Sequence, residues 1–197
     1  MTTSNIIALC GYKRCGKDFA SEHIVEKYNY LHYKFANKLK KIVKELFDFD
    51  DEQIEGNKKE NIDSIWGISP RQAMQYIGTE VFQHHMNNLI PGIDKSLWVR
   101  TLVNEINKNK PKNIVISDMR FKHEYEYIKK HLNTYKLTVI KIINNDRTCD
   151  DLHISENAFN QIPSDHVITN AFDSQFVTKI ENIVEQLSIK RLVVNQN

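Results

Sequence analysis

The sequence predicts an α/β fold in which a parallel β-sheet is covered by helices on both faces. Three observations support this prediction. Short, continuous apolar runs alternate along the 197 residues with longer stretches whose apolar side chains recur at helical spacing. The first apolar run leads through a glycine-containing turn directly into a helix. Hydrophobic residues make up 41% and charged residues 26% of the chain, as in ordinary globular domains.

Five apolar runs are predicted as strands. They are short and bounded by polar or turn-forming residues, as expected of strands buried in a parallel sheet. In chain order they cover residues 5–10, 31–35, 113–118, 137–143 and 166–169.

Six stretches are predicted as helices. The clearest is 36–47, where Leu39, Ile42, Val43 and Leu46 share one face opposite a row of lysines. Another begins with Ser69 as the N-cap and proline at the first helical position. The predicted helices cover residues 19–28, 36–47, 70–87, 96–107, 123–132 and 174–192.

The chain is expected to form one domain, 1–197, that contains two accessory segments. Residues 48–110 are rich in helix without a clear strand, which indicates an insertion that binds the acceptor substrate, and 48–68 within it is predicted as loop. Residues 144–163 are polar and are interpreted as a lid-like segment.

Composition excludes several classes of protein. A formal charge of +2 is far below that of a dedicated nucleic-acid binder, so no polymeric nucleic acid is expected as a partner. No apolar run approaches the roughly 20 residues of a membrane span, and no membrane partner is expected. The three cysteines lack metal-ligand spacing, which favours reduced thiols and a cytoplasmic location.

The turn after the first strand matches the phosphate-binding loop G-x-x-x-x-G-K, with Gly11, Gly16 and Lys17 at the required positions. Glycines allow backbone N–H groups to converge on phosphate oxygens, and the helix that follows presents its positive end to the same anion. Lys17 is placed to reach the β- and γ-phosphates of ATP. A chance pair of glycines in a strand–helix turn is the weaker interpretation.

Other residues of the loop are candidate ATP contacts. Lys13 and Arg14 are cations beside the phosphates, and Cys15 lies within the loop. Asp18 stands where such loops usually carry the Ser or Thr that binds Mg²⁺. Its carboxylate suits Mg²⁺ as well, or it favours the helix through the helix dipole.

A second acidic position follows the third predicted strand. Asp118 is expected at the carboxyl ends of the strands, where it would hold Mg²⁺ or the acceptor. Arg120 suits bidentate phosphate binding. Arg147, in the polar segment, is a candidate lid arginine for the transferring phosphoryl group. The alternatives are a surface Asp–Arg pair and a solvated loop cation.

Two further groups of residues are weighed against simpler interpretations. His84 and His85 are interpreted as surface histidines because adjacent helical positions diverge and no partner ligands flank them. Trp66 and Trp98 are candidates for lining a pocket, whereas Phe82 is expected in the core.

Several segments together resemble the deoxynucleoside monophosphate kinases of large bacteriophages. The resemblance covers nearly the whole chain except much of 48–65. It includes the helix motif Arg71-x-x-x-Gln75-x-x-Gly78-Thr79. The other matching segments are residues 11–18, 35–40, 98–99, 117–120, 153–156 and 167–170.

The resemblance implies the nucleoside monophosphate kinase fold, with ATP and Mg²⁺ as cofactors and a deoxynucleoside monophosphate as acceptor. It implies that Lys17 contacts the transferring phosphate. The other residues implied at the acceptor are Lys40, Arg71, Arg120, Gln75, Thr79 and Trp98, with Asp118 placing the metal or the acceptor. A homodimer, and the host cytoplasm for a viral protein, follow from the resemblance alone.

Two other functions compete with this one. The animal-type phosphomevalonate kinases share Gly-Lys-Asp-Phe and Ser-Asp-x-Arg, and this chain has Phe19 where the phage proteins tend to have Thr. However, those kinases lack a good counterpart to the Arg71–Thr79 motif. A nucleotide-binding switch without an acceptor would leave Arg71 and Arg120 without a substrate to hold.

Overall fold

The computed structural model describes residues 4–144 and 158–193, with side chains as far as residue 187 in the last helix. Arg147, Cys149 and the segment 153–156 therefore lie outside the described residues, as does most of the lid-like segment.

The predicted parallel sheet is confirmed. Five strands pair in parallel in the order β2-β3-β1-β4-β5, so the first strand occupies the centre. Ile7 of β1 lies opposite Val115 of β3 on one side and Thr138 of β4 on the other. The strands are β1 Ser4–Cys10, β2 Leu31–Tyr33, β3 Asn113–Ile116, β4 Tyr135–Ile143 and β5 His166–Thr169.

Both faces of the sheet are buried. Ile7 and Leu9 belong to a core cluster with Ile24 of the first helix and Val184 of the last. Because side chains alternate along a strand, Ile6 points to the opposite face, and it too is fully buried. A strand buried on both faces reads as a continuous apolar run, which is why β1 is recognisable in the sequence.

The helices follow the predicted order with shifted ends. The α-helices are α1 Lys17–Tyr28, α2 Ala36–Phe47, α3 Asp51–Ile54, α4 Pro70–Gln75, α5 Leu97–Asn109, α6 Lys122–His131 and α7 Ser174–Val193. Short 3₁₀ turns cover Asn57–Glu60, His85–Asn88, Asp94–Ser96 and Ala158–Gln161. None of the described helices is both long and apolar enough to cross a membrane.

The chain divides into two compact units. One comprises the described residues of Met1–Lys34 and Leu102–Asn197 and contains the sheet. The other is Phe35–Thr101, whose bounds differ from the insertion expected at 48–110. This second unit has its own core, centred on Val43, Phe49, Ile54 and Ala73.

The prediction of loop throughout 48–68 is wrong. The segment contains α3 and a 3₁₀ turn, Asn57–Glu60. Reciprocal hydrogen bonds between Asp50 and Gln53 cap α3, and the Gln53 amide also donates to Asp63 at 2.8 Å. These short elements depend on contacts between side chains and backbone rather than on a repeating apolar pattern, so periodicity does not reveal them.

The single helix predicted over 70–87 is composite. After α4 the backbone continues as a π-helix, Tyr76–His84, and then as a 3₁₀ turn. A β-carbon on Gly78 would lie 2.6 Å from Leu39 of α2, so glycine permits this close approach. π-Helical turns are rare and frequently occur at functional sites.

Several apolar side chains on two helices are exposed. On α2 only Val43 is buried, and Leu46 is 60% exposed although it was expected on the same apolar face. On α1, Phe19 is 53% exposed while Ala20 and Ile24 are buried. The buried stripe of each helix is narrower than its apolar stripe, and the sequence records only the latter.

Candidate active site

The phosphate-binding loop joins the carboxyl end of β1 to the start of α1. Gly11 and Gly16 have φ values of 148° and 103°, which residues other than glycine rarely adopt. A β-carbon on Gly11 would lie 2.1 Å from the carbonyl oxygen of Ile142. Both glycines are therefore required by the backbone path, as the motif predicts.

The side chain of Lys17 folds back over this loop. Its Nζ donates to the carbonyl oxygens of Gly11 at 2.9 Å and Tyr12 at 2.6 Å. Lys17 is the first residue of α1, so its ammonium group lies beside the positive end of the helix. This is the arrangement in which the amine can bind a phosphate held by the loop.

Two asparagines form a chain of hydrogen bonds that ends on the loop. The Asn170 amide, which is buried just after β5, donates to the carbonyl oxygen of Cys15 at 3.0 Å. Asn144, which follows β4, donates to the Asn170 carbonyl oxygen at 3.0 Å. Asn170 had been singled out only within the family motif, and no bracing role was predicted. The available signal is a polar residue directly after a predicted strand.

Cys15 is enclosed within the loop. It is buried, and its Sγ lies 3.8 Å from Nζ of Lys17. Burial raises the pKa of the Cys15 thiol, although the nearby Lys17 ammonium opposes this shift. The thiol therefore stays protonated at neutral pH and acts as a packing group in the loop.

Asp18 offers carboxylate oxygens at the first turn of α1. The side chain is 75% exposed and its Oδ1 accepts from Lys34 Nζ at 2.9 Å. Hard oxygen donors suit Mg²⁺, which usually combines one or two carboxylates with waters and substrate phosphates. The described residues include no cluster of three or more potential ligands, so Asp18 fits a shared site of this kind rather than a closed protein cage.

The predicted second acidic position lies on the turn after β3. Ser117 is buried, and its hydroxyl lies 2.8 Å from Nε2 of His32 on β2. Asp118 and Arg120 are half-buried on the same turn. The carboxyl ends of β1 and β3 lie at one edge of the sheet, so this turn is at the same edge as the phosphate loop.

Glu124 holds this turn from within the protein. Its Oε2 accepts the backbone N–H groups of Arg120 at 2.8 Å and Phe121 at 2.9 Å. Glu124 is only 5% exposed, and this burial raises the pKa of its carboxyl group to about 8. The two N–H groups oppose the shift and the charge of Asp118 adds to it. Sequence analysis missed Glu124, whose only signal is its place in the first turn of α6.

The second unit holds five of the six residues implied at the acceptor, and the sixth, Arg120, lies in the first unit. Arg71, on α4, pairs through Nε with Oε1 of Glu60 at 3.1 Å. Lys40, on α2, pairs with Oε2 of Glu55 at 2.6 Å. Both cations are thus oriented by glutamates of the segment that had been predicted as loop.

The other three residues implied at the acceptor differ in exposure. Gln75 and Thr79 are half-buried, whereas Trp98 is buried. The Trp98 indole donates to the carbonyl oxygen of Gly78 at 3.1 Å, and its ring packs edge-on against Phe82 at 5.1 Å. Trp98 therefore supports the backbone of the Gly78–Thr79 motif from the inside.

Trp66 and the two histidines make local contacts. The Trp66 indole donates to the carbonyl oxygen of Phe47 at 2.8 Å. His84 and His85 are exposed, and Nδ1 of His84 lies 3.0 Å from Glu80.

Comparison with known proteins identifies the family. The model of the deoxynucleotide monophosphate kinase family matches residues 44–180. The chain belongs to this family. The matched range includes Arg71, Gln75, Thr79, Trp98 and the Asp118–Arg120 turn, and it begins after the phosphate loop.

Two relatives carry kinase names. A mimivirus protein (Acanthamoeba polyphaga mimivirus) named "Putative deoxynucleotide monophosphate kinase" is 36% identical over 193 residues, which cover 90% of this chain and 96% of the relative. The deoxynucleoside-5′-monophosphate kinase of Escherichia phage T5 is 30% identical over 131 residues, covering 65% of this chain and 49% of the phage protein.

Solved kinases share the fold. The shikimate kinase of Aquifex aeolicus matches with a TM-score of 0.50 at 12% identity, covering 93% of this chain and 98% of that one. This likeness shows the P-loop kinase fold, which agrees with the fold predicted from the sequence. The fold of this deoxynucleotide monophosphate kinase family member is therefore that of a P-loop kinase.

Proposed function

We propose that this protein transfers the γ-phosphoryl group of ATP to a deoxynucleoside monophosphate, giving ADP and a deoxynucleoside diphosphate. The observation that carries the proposal is the family match over residues 44–180. The phosphate loop lies outside that range, so its geometry supports ATP binding independently.

The ATP half of the proposal rests on the loop of residues 11–18. Its backbone N–H groups and the start of α1 bind the phosphates, and Lys17 exchanges its carbonyl partners for β- and γ-phosphate oxygens. Within the loop, Lys13 and Arg14 add positive charge, while Cys15 is buried.

The acceptor half rests on cations and amides. Lys40, Arg71 and Arg120 would bind the acceptor phosphate, with the planar guanidinium groups suited to bidentate contacts. Gln75 and Thr79 would contact the nucleoside, and Trp98 would keep their backbone in place. The second unit, Phe35–Thr101, would then be the acceptor-binding unit.

Asp18 and Asp118 are the residues that would hold Mg²⁺. When bound, the ion neutralises negative charge on the phosphate oxygens of ATP. Lys34, which pairs with Asp18, keeps that carboxylate oriented at the start of α1.

The reaction breaks the bond between the γ-phosphorus and the bridging oxygen of ATP and forms a bond to an acceptor phosphate oxygen. It needs positioning and charge stabilisation more than covalent catalysis. Lys17, Arg120 and Arg147 would stabilise the charge on the transferring group, and the lid-like segment 144–163 would exclude water. A homodimer in the host cytoplasm completes the proposal.

The test is ADP formation from ATP and Mg²⁺ with a panel of acceptors. The panel contains the four common deoxynucleoside monophosphates, the corresponding ribonucleotides and phosphomevalonate. Turnover with one or more deoxynucleotides is the expected result. Turnover with phosphomevalonate alone would overturn the proposal, as would ATP binding without transfer to any acceptor.

A further inference from the structure

The pairing of Arg71 with Glu60 involves one particular atom of the guanidinium group. Glu60 accepts from Nε at 3.1 Å. Within the described part of the chain, the terminal nitrogens of Arg71, Nη1 and Nη2, make no hydrogen bond or ion pair. One edge of the guanidinium group is therefore tethered, and the terminal pair of N–H donors is available.

This geometry suits an arginine that binds phosphate. A guanidinium group can donate its Nε–H to a carboxylate and still present the N–H groups of Nη1 and Nη2 to two oxygens of a planar or tetrahedral anion. The Arg71 side chain is 28% exposed, whereas that of Glu60 is 58% exposed. Arg71 is thus partly enclosed and restrained while remaining accessible.

Both partners are held by local structure. Arg71 follows Pro70 on α4, and reciprocal hydrogen bonds between Ser69 and Gln72 cap that helix. Glu60 closes the 3₁₀ turn Asn57–Glu60, and the next residue, Asn61, donates its backbone N–H to Lys58 at 3.0 Å. The tether therefore joins two short elements whose own backbone conformations are fixed.

We propose that Glu60 is a positioning residue, which fixes the guanidinium group of Arg71 so that its terminal nitrogens bind the acceptor phosphate. This inference rests on the proposed function. Because restraining the side chain before binding removes part of the entropic cost, Glu60 raises affinity for the acceptor without contacting it. The alternative is that Glu60 competes with the phosphate for Arg71, which predicts the opposite change in affinity.

The experiment measures steady-state kinetics of Glu60→Ala and Glu60→Gln with the deoxynucleotide that the wild type uses best. Glu60→Ala is expected to raise the acceptor KM about fivefold, with kcat and the ATP KM changed less than about twofold. Glu60→Gln keeps an oxygen that can accept from Nε, so most of the loss is expected to be rescued.

Asp51→Ala is the matched control. Asp51 lies in the same segment and pairs with Lys44 at 2.5 Å. Lys44 has no assigned role at the acceptor. This variant is expected to leave the acceptor KM unchanged. In an Arg71→Lys background, which has lost the guanidinium group, Glu60→Ala is expected to add little further change.

Each outcome bears on the inference. An unchanged acceptor KM in Glu60→Ala would overturn it, and a lowered KM would overturn it in favour of competition. A raised KM that Glu60→Gln does not rescue, with a lowered melting temperature, would assign Glu60 a structural role instead. If the wild type turned over no deoxynucleotide, the proposed function would fail first and this inference with it.

Discussion

Lys17 has a structural role in the loop and a proposed role in the reaction. Its ammonium group donates to two loop carbonyl oxygens, and its backbone begins α1. The same group is the proposed ligand of the transferring phosphate. Its removal should therefore affect stability slightly and transfer greatly.

For Lys17→Ala we expect phosphoryl transfer to fall by at least about 10²-fold, because a charge-stabilising donor is lost. Loss of two partly buried hydrogen bonds is expected to lower the free energy of unfolding by only about 2 kcal/mol. Kinetic assays and urea unfolding measure the two effects.

Lys27→Ala is the control, since Lys27 lies on the same helix and pairs with Glu181 outside the proposed site. Transfer by Lys17→Ala at the wild-type rate would contradict the assignment of Lys17.

Cys15 leads to a prediction about chemical modification. Because burial raises its pKa and encloses Sγ, alkylation of the native protein by iodoacetamide should be much slower than in urea. A β-carbon on Gly11 would lie 2.8 Å from Sγ, so the loop has little room for an added group. Peptide mapping by mass spectrometry measures the rate at Cys15.

Once modified, the loop should bind ATP poorly. Equal alkylation rates in native and unfolded protein, or unchanged ATP affinity after modification, would show that Cys15 is not enclosed as described.

At the scale of elements, a single buried carboxyl group joins a turn to a helix. Glu124 lies in the first turn of α6 and accepts two N–H groups from the turn that carries Asp118 and Arg120. Its pKa is about 8 in the folded protein against an ordinary value of 4.5. The folded state therefore retains a proton that the unfolded state releases.

This difference predicts the sign of a pH dependence. Between pH 4.5 and about 8, Glu124 is protonated in a larger fraction of folded than of unfolded molecules. The stabilising contribution of protonated Glu124 is therefore lost as pH rises, by at most about 1.4 kcal/mol per pH unit. Glu124→Gln should remove this component, so its free energy of unfolding should fall less than that of the wild type between pH 6 and 8.

Denaturant unfolding at several pH values tests this prediction. Glu126→Gln is the control, because Glu126 lies on the same helix but is exposed and pairs only loosely with Lys122, at 3.6 Å. Identical pH slopes for the wild type and Glu124→Gln would refute the assignment.

Elements with a repeating pattern were predictable, and those without one were not. β1 and β4 are continuous apolar runs, and both were recognised within two residues of their ends. The π-helix Tyr76–His84 has the same apolar spacing as an α-helix would have over so few residues, so the sequence cannot distinguish them. α3 spans only four residues, too few for any periodicity.

At the scale of the whole molecule, the residues proposed to bind substrates are divided between the two units. The sheet-bearing unit holds the phosphate loop and the Asp118–Arg120 turn. The unit Phe35–Thr101 holds Arg71 and Lys40. The phosphate loop is proposed to bind ATP, and Lys40 and Arg71 are proposed to bind the acceptor, so each ligand alone should stabilise the folded protein.

We therefore expect a deoxynucleoside monophosphate to raise the melting temperature without ATP. A ligand at 100 times its Kd stabilises the folded state by about 2.7 kcal/mol. The corresponding deoxynucleoside, which lacks the phosphate, should have a smaller effect, and Arg71→Lys should reduce the difference. Stabilisation by ATP but by no deoxynucleoside monophosphate would instead favour a nucleotide-binding switch.

The sequence by itself determined the α/β class, the strand order along the chain, the phosphate loop and the family resemblance. Each depends on local information, either apolar runs or residues at fixed spacing. Gly11 and Gly16 are recognisable because the loop's backbone path demands glycine there, and Lys17 because it follows at the spacing of the motif.

The tertiary structure alone decided which side chains meet across long intervals of sequence. Asn170 reaches Cys15 across 155 residues, and His32 reaches Ser117 across 85. Trp98 is buried, Leu46 is exposed, and Arg71 pairs with Glu60. Burial and pairing depend on what the folded chain brings alongside each residue, and a pattern of neighbours in sequence does not carry that information.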